Sequence, residues 1–218
     1  MTGVREWLAA AGGQPPEAVE TRVAASVAHL GLAARLVSPA LAAAVLYGLV
    51  PAPGLADLRW QPVTGGPVPL SLPADAFTER AFVEGAVTDG ASAVGALTGE
   101  LSSAAPPARL AAELGSRLVD GPLSELAHAM AEFSVSPHIL WGNTASAVNG
   151  AATMITASRP NLTARTRAIS SLLLARPPLR DASSVRPDGV FRRRSCCLIY
   201  RAAPGAAGAL CGDCVLSR

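Results

Sequence analysis

All four cysteines of this 218-residue chain lie within one short stretch near its C-terminal end. Cys196 and Cys197 are adjacent, and Cys211 and Cys214 form a C-x₂-C pair. Thiols at this density can form disulfides, bind a zinc ion or hold an iron–sulfur cluster. These three kinds of site make different demands on the spacing of the cysteines.

The adjacent pair fits a disulfide or a zinc site poorly. Neighbouring Cα atoms lie about 3.8 Å apart, whereas a disulfide prefers roughly 4.4–6.8 Å. Disulfides between the two pairs would close only a loop in the tail. A structural zinc site usually has two C-x₂₋₄-C arms, and only Cys211 and Cys214 have that spacing. A [2Fe–2S] cluster divides four thiolates between two irons, which is a different geometric demand. Spacing alone leaves all three sites open.

The text around the cysteines, "RRSCCLIYR" and "LCGDCVL", resembles the C-terminal motif of the FhuF-like ferric siderophore reductases. The resemblance implies that Cys196, Cys197, Cys211 and Cys214 ligate one [2Fe–2S] cluster. It further implies one-electron reduction of Fe(III)-siderophores, with no catalytic residue beyond the cluster. The sequence departs from the family in its longer linker, which we predict to be a flexible loop over residues 202–209.

Arginines flank the predicted ligands. Arg192, Arg193 and Arg194 precede them, and Arg201 follows Tyr200. Positive charge near a cluster makes its reduction easier. These residues and Tyr200 are therefore candidates for tuning the cluster or for docking an anionic partner, either a ferric chelate or an acidic ferredoxin. A solvated basic loop without a special role is the alternative interpretation.

The charge distribution is uneven along the chain. Residues 1–154 contain seven arginines and thirteen acidic residues, whereas residues 155–218 contain eleven and three. Nucleic-acid binders have a similar imbalance, but the chain has few aromatic residues and no known nucleic-acid-binding motif, so we predict no nucleic-acid partner. It also has no dinucleotide or P-loop fingerprint. Electrons must then come from a protein donor such as a ferredoxin.

The sequence favours a cytoplasmic protein, with a possible place of action at the inner face of the membrane. The first residues do not form a recognisable signal peptide. The apolar run Ala40–Val50 is about half the length needed to span a bilayer. We predict a buried core helix there and no transmembrane segment.

Composition and periodicity predict a mainly α fold of the α+β kind. Pro16 should open a helix that ends near Pro39, with a second helix from Ala40 to about Gly48. Further helices are predicted over 75–105, 107–119, 123–133, 144–155 and 162–174. Residues 58–63 and 68–72 alternate around Gly65-Gly66 and predict a small β-hairpin. Residues 177–190 are predicted to be a linker or long loop.

Trp141-Gly142-Asn143 precedes one predicted helix and resembles a second recurring segment of the family. We expect Gly142 to allow close approach of another chain segment and Asn143 to cap the helix. Trp141 and Asn143 are also candidates for the surroundings of the cluster. We predict a helical FhuF-like domain over residues 1–189 and a cluster-binding segment over 190–218 packed on it. The alternatives are a non-catalytic zinc- or siderophore-binding module, or a one-electron carrier for another reductase.

Overall fold

The structure, a computed structural model, describes residues 1–51, 53–61, 69–71, 105–186 and 189–217. Within these ranges the protein is mainly helical, as predicted, with two small antiparallel hairpins. The helices are α1 (Thr2–Gly12), α2 (Thr21–Tyr47), α3 (Pro107–Leu114), α4 (Ser124–Ala131), α5 (Pro137–Ser158) and α6 (Thr163–Leu174). The strands are β1 (Arg59–Trp60), β2 (Leu70–Ser71), β3 (Ser183–Val185) and β4 (Phe191–Arg193).

Helix α2 continues through Pro39, so the predicted break into two helices is wrong. An internal proline removes a hydrogen bond and clashes with the preceding turn, at a cost of about 3 kcal/mol. The apolar residues on both sides of the proline are buried: Leu36, Val37, Ala40 and Leu41. Burying one large aliphatic side chain contributes about 1.5–3 kcal/mol, so packing outweighs the proline. The helix ends at Gly48, as predicted, where φ is +70°.

The N-terminal region differs from the prediction in two ways. Helix α1 was not predicted, although Gly13, which follows it with φ of +67°, is a typical helix-ending residue. Pro16 opens only a 3₁₀ turn, Pro16–Ala18, and the long helix begins later at Thr21.

The predicted helices in the second half of the chain are confirmed as α3, α4, α5 and α6. A π-helical stretch, Gly115–Leu123, joins α3 to α4. The predicted hairpin is confirmed as β1 paired with β2, with Trp60 opposite Leu70. Its predicted turn, and nearly all of the predicted helix over 75–105, lie outside the described residues.

Residues 177–190 are not simply a linker, because they contain β3 and a 3₁₀ turn, Leu179–Asp181. Strand β3 pairs antiparallel with β4, and Ser183 lies opposite Arg193. The β3–β4 hairpin leads directly into the cysteine pair. The hairpin therefore fixes the position of the backbone that enters the first cysteine pair.

Two apolar clusters hold the described structure together. The larger is formed mainly by α2 to α6 and includes Phe191 of β4. The smaller joins α1 and the first turns of α2 to Leu198, Ile199 and Ala202, which follow the cysteine pair. The C-terminal segment is thus packed on the helical body, and the boundary at residue 189 stays a prediction.

Among the described residues, one helix, α2, is long and apolar enough to cross a membrane by length and composition alone, a test that buried core helices also pass.

Candidate metal centre

The four cysteines come together as two crossed pairs. Cys197 Sγ lies 3.8 Å from Cys211 Sγ, and Cys196 Sγ lies 3.7 Å from Cys214 Sγ. Each pair takes one cysteine from the adjacent couple and one from the C-x₂-C couple. Cys197 and Cys214 are buried, whereas Cys196 and Cys211 are partly exposed. The centre therefore lies at the edge of the fold, with one sulfur of each pair near solvent.

The separation within each pair fits two thiolates on one tetrahedral metal. With a metal–sulfur bond of about 2.3 Å, two sulfurs of a tetrahedron lie about 3.8 Å apart. No disulfide is formed, since all four cysteines are free and a disulfide would need about 2.05 Å. In the described ranges, no three His, Cys, Asp or Glu side chains are grouped to hold a single ion. The described thiols therefore form two close pairs rather than one group around a single ion.

A strained turn positions the adjacent cysteines. Leu198 has a φ of +69°, a left-handed conformation that costs a residue other than glycine on the order of 1–2 kcal/mol. This turn lets the Leu198 N–H donate to Cys196 Sγ at 3.3 Å. The Leu198 side chain packs against the smaller apolar cluster. Packing of the Leu198 side chain therefore offsets the cost of this left-handed turn.

Burial keeps the thiols of Cys196 and Cys211 protonated when no metal is bound. Burial raises the pKa of Cys196 to about 11. Burial also raises the pKa of Cys211, although the charge of Arg193 opposes that change. Reactive cysteines have lowered pKa values, so this environment does not favour a nucleophile. Metal binding must release protons here, and its affinity should rise with pH.

Of the four arginines that flank the cysteines, Arg193 is the one whose described contacts include a cysteine sulfur. Its side chain is fully buried, its Nη2 donates to Cys211 Sγ, and its Nε lies 3.4 Å from Asp213 Oδ1. Burial alone would lower the pKa of Arg193. The Cys197 thiol, followed by Asp213 and Cys211, raises it instead. A permanent positive charge therefore lies against one of the two sulfur pairs.

Asn143 contacts this arginine, but it does not cap a helix as predicted. It lies inside α5, whose N-terminal cap is Ser136. The Asn143 Oδ1 accepts from Arg193 Nη1 at 2.9 Å. Its Nδ2 donates to the Ser26 carbonyl at 2.9 Å and to Ser26 Oγ at 3.2 Å. Ser26 Oγ in turn donates to the Cys197 carbonyl at 2.8 Å, which closes a buried network from α2 to the cysteines.

Comparison with known proteins agrees with this geometry. Residues 193–216 match the family model of the FhuF 2Fe-2S C-terminal domain. The match begins at Arg193 and includes all four cysteines. It confirms the resemblance over this part of the chain and indicates a protein that binds an iron–sulfur cluster. No curated protein and no solved structure matches the chain. Residues 193–216 are called the FhuF segment below.

The other predicted residues contact the FhuF segment or lie further from it. Arg192 donates to the Cys214 carbonyl at 3.0 Å and to Ser217 Oγ. Arg194 is exposed and donates to the Ser183 carbonyl at 3.2 Å. Arg201 pairs with Glu20 at 2.6 Å. These three arginines anchor backbone or join the segment to the body, and their described contacts are not with sulfur atoms.

Trp141 and Tyr200 have structural positions. Trp141 is half-buried and packs against the larger core. The Tyr200 carbonyl accepts from the Gly208 N–H at 3.0 Å, and a side chain at Gly208 would collide with the Tyr200 backbone. The linker between the cysteine pairs is thus held at Ala202, whose carbonyl accepts from Gln14 Nε2 at 2.6 Å, and at Gly208, although Pro204 to Ala207 are exposed.

Gly142 allows the close approach that its sequence predicted. A Cβ at this position would collide with Ser195 Oγ, the side chain just before the cysteine pair. Ser195 Oγ also donates to the His138 carbonyl at 3.0 Å. Sequence reasoning missed Ser26, Asp213 and Ser195. The position of Asp213 between two cysteines was an available signal, whereas nothing in the sequence connects Ser26 to residues about 170 positions later.

Proposed function

We propose that this protein is a ferric siderophore reductase that uses a [2Fe–2S] cluster held by Cys196, Cys197, Cys211 and Cys214. The observation that carries the proposal is the arrangement of these thiols in two crossed pairs inside the FhuF segment. When bound, the cluster supplies or accepts one electron at a time. The protein's own contribution is to position the thiols, shield part of the centre and present an edge to its partners.

The substrate chemistry suits a one-electron centre. A siderophore holds Fe(III) through hard oxygen donors, and Fe(II) prefers softer ligands and is held more weakly. One electron therefore releases the metal without breaking a covalent bond in the chelator. This explains why the proposal needs no acid, base or nucleophile. It requires a docking surface beside the centre and an external supply of electrons.

A polar cleft of about 500 Å³ offers a docking surface for the chelate. The cleft is lined by Ser146, Asn149, Gly150 and Thr153 of α5, by Gly189, Val190 and Phe191 at the start of β4, and by Gly212 and Asp213 from the turn between Cys211 and Cys214. Hydroxyl and amide groups suit the oxygen-rich surface of a ferric chelate. A larger cavity of about 790 Å³ is lined by apolar residues of α1, α2, α4 and the β1–β2 hairpin, and its described lining excludes the FhuF segment. The polar cleft is therefore our candidate.

The surface around the second cysteine pair suits a protein electron donor. Leu210, Val215 and Leu216 flank this pair and are 42–49 % exposed. Arg194, just before the first cysteine pair in the chain, is also exposed. Exposed apolar side chains and an exposed positive charge in the same C-terminal segment fit a small acidic electron carrier, for which we propose a ferredoxin. We place the reaction in the cytoplasm, where thiols stay reduced.

The test uses protein purified without oxygen. We expect visible absorbance from a cluster, which a zinc protein lacks. The dithionite-reduced protein is then mixed with a ferric siderophore and an Fe(II) trap, and we expect the cluster to reoxidise as trapped Fe(II) accumulates. If the cluster stays reduced in the presence of the chelate, the proposed reductase activity is contradicted. The alternative function, a one-electron carrier for another reductase, would then remain. A colourless protein with one zinc would contradict the cluster itself.

A variant of the cleft separates docking from chemistry. Thr153→Arg should fill the cleft and slow reoxidation by the chelate, while reoxidation by a small inorganic oxidant, ferricyanide, stays unchanged. Thr156→Arg on the same helix is the matched control, because Thr156 does not line the cleft. Equal rates of reoxidation by the chelate in the two variants would show that the chelate does not dock in this cleft.

A further inference from the structure

The two sulfur pairs have different electrostatic surroundings. The Cys196–Cys214 pair receives hydrogen bonds from neutral backbone groups, the N–H of Leu198 at 3.3 Å and that of Leu216 at 3.4 Å. The Cys197–Cys211 pair lies against the guanidinium of Arg193, which donates to Cys211 Sγ. Hydrogen bonds from charged donors are roughly twice as strong as those from neutral donors. The two halves of the centre are thus inequivalent before any electron arrives.

The Arg193 charge acts at short range and with little screening by solvent. Its side chain has no exposed area, and the side chain of Asp213, its ion-pair partner, is also mostly buried. Charges interact more strongly in such an environment than in water. Asn143 fixes the orientation of the guanidinium from α5. The arrangement is therefore a rigid ion pair whose positive end faces Cys211, rather than a mobile surface charge.

We propose that Arg193 directs the incoming electron to the half of the centre held by Cys197 and Cys211. With the cluster bound, an external one-electron donor would supply the electron, and one of the cluster's two ferric ions would become ferrous. No bond breaks, and no proton is taken up at Arg193 because the guanidinium is already charged. The added negative charge has the lowest energy beside the buried guanidinium. This inference rests on the two-iron cluster of the proposed function but not on the siderophore reaction.

The first test measures how readily the centre is reduced, without any siderophore. At a fixed solution potential, Arg193→Gln should lower the ratio of reduced to oxidised centre at least about tenfold, equivalent to 59 mV for one electron. Arg193→Lys keeps the charge and should recover part of the loss. Arg194→Gln removes the neighbouring exposed charge and should change the ratio less than about twofold. Iron content and circular dichroism confirm that each variant is intact.

The second test locates the electron with ⁵⁷Fe Mössbauer spectra of the reduced protein. Serine replaces one sulfur by oxygen and changes the signal of the iron it ligates. Cys211→Ser or Cys197→Ser should alter the ferrous signal, whereas Cys196→Ser or Cys214→Ser should alter the ferric signal. The opposite assignment overturns the proposal. The proposal is also overturned if Arg193→Gln changes the ratio of reduced to oxidised centre no more than Arg194→Gln does. This second criterion holds even if none of the serine variants retains its centre.

Neither test contains a siderophore, so the proposed function and this inference can fail separately. A protein that reduces no ferric chelate but shows the expected shift in Arg193→Gln supports the inference and contradicts the reductase. A protein that reduces the chelate normally while both arginine variants are reduced like the parent protein contradicts the inference alone.

Discussion

Replacing Asn143 by alanine should destabilise the protein because it disconnects α5 from both Arg193 and α2. The side chain is fully buried and makes one hydrogen bond with the charged guanidinium and two with Ser26. A hydrogen bond to a charged group contributes about 1.5–3 kcal/mol and a neutral one about 1 kcal/mol. Alanine also leaves a buried guanidinium N–H and a buried carbonyl without this partner. We expect a loss of about 3.5–5 kcal/mol in the free energy of unfolding.

The assay is thermal unfolding of the oxygen-free protein, followed by circular dichroism at 222 nm. In a chain of this size, 1 kcal/mol shifts the Tm by about 2–4 °C, so Asn143→Ala should unfold about 7–20 °C lower. Asn149→Ala is the control, since Asn149 lies on the same helix and is only half-buried. Its effect should stay within about 0.5 kcal/mol. Equal unfolding temperatures for the two variants would refute the network as a source of stability.

Two further predictions concern α2 and α5. Burial lowers the pKa of His29 to about 4 from an ordinary 6.5, so stability is complete above pH 6.5 and falls by up to about 3 kcal/mol as the pH approaches 4. His29→Leu should flatten this dependence in urea titrations at several pH values, and an unchanged slope would contradict it. In Gly142→Val the new side chain should collide with Ser195, just before the cysteine pair, and lower the iron content per chain. Gly150→Val is the control, because a Cβ at Gly150 has open space around it, and its iron content should not change. Equal iron contents in the two variants would contradict the close contact at Gly142.

The sequence predicted local features of the fold where local chemistry decides them. The helices after residue 107 follow their apolar periodicity, and Gly48 ends α2 as expected. The sequence could not predict that α2 continues through Pro39, because burial in a distant core outweighs the local cost of proline. It also did not predict β3 and β4, which have three residues each and depend on pairing with one another.

For the candidate site as well, the sequence predicted some features and not others. The motif around the four cysteines predicted them as metal ligands, and the run of arginines before them made Arg193 a candidate for their surroundings. Which sulfurs approach one another could not be predicted, because crossed and uncrossed pairings have the same spacing in the sequence. The burial of Arg193 was also unpredictable, since arginine is usually exposed. Asp213, the cysteines and Asn143, brought close by the fold, make that burial favourable.

We propose that four cysteines bind two metals in crossed pairs, and metal and sulfide analysis tests this proposal most directly. Anaerobically purified protein should contain two irons and two acid-labile sulfides per chain, with visible absorbance that is lost or strongly changed in Cys197→Ser. One zinc per chain, no labile sulfide and no visible absorbance would contradict the account, whatever else the protein binds.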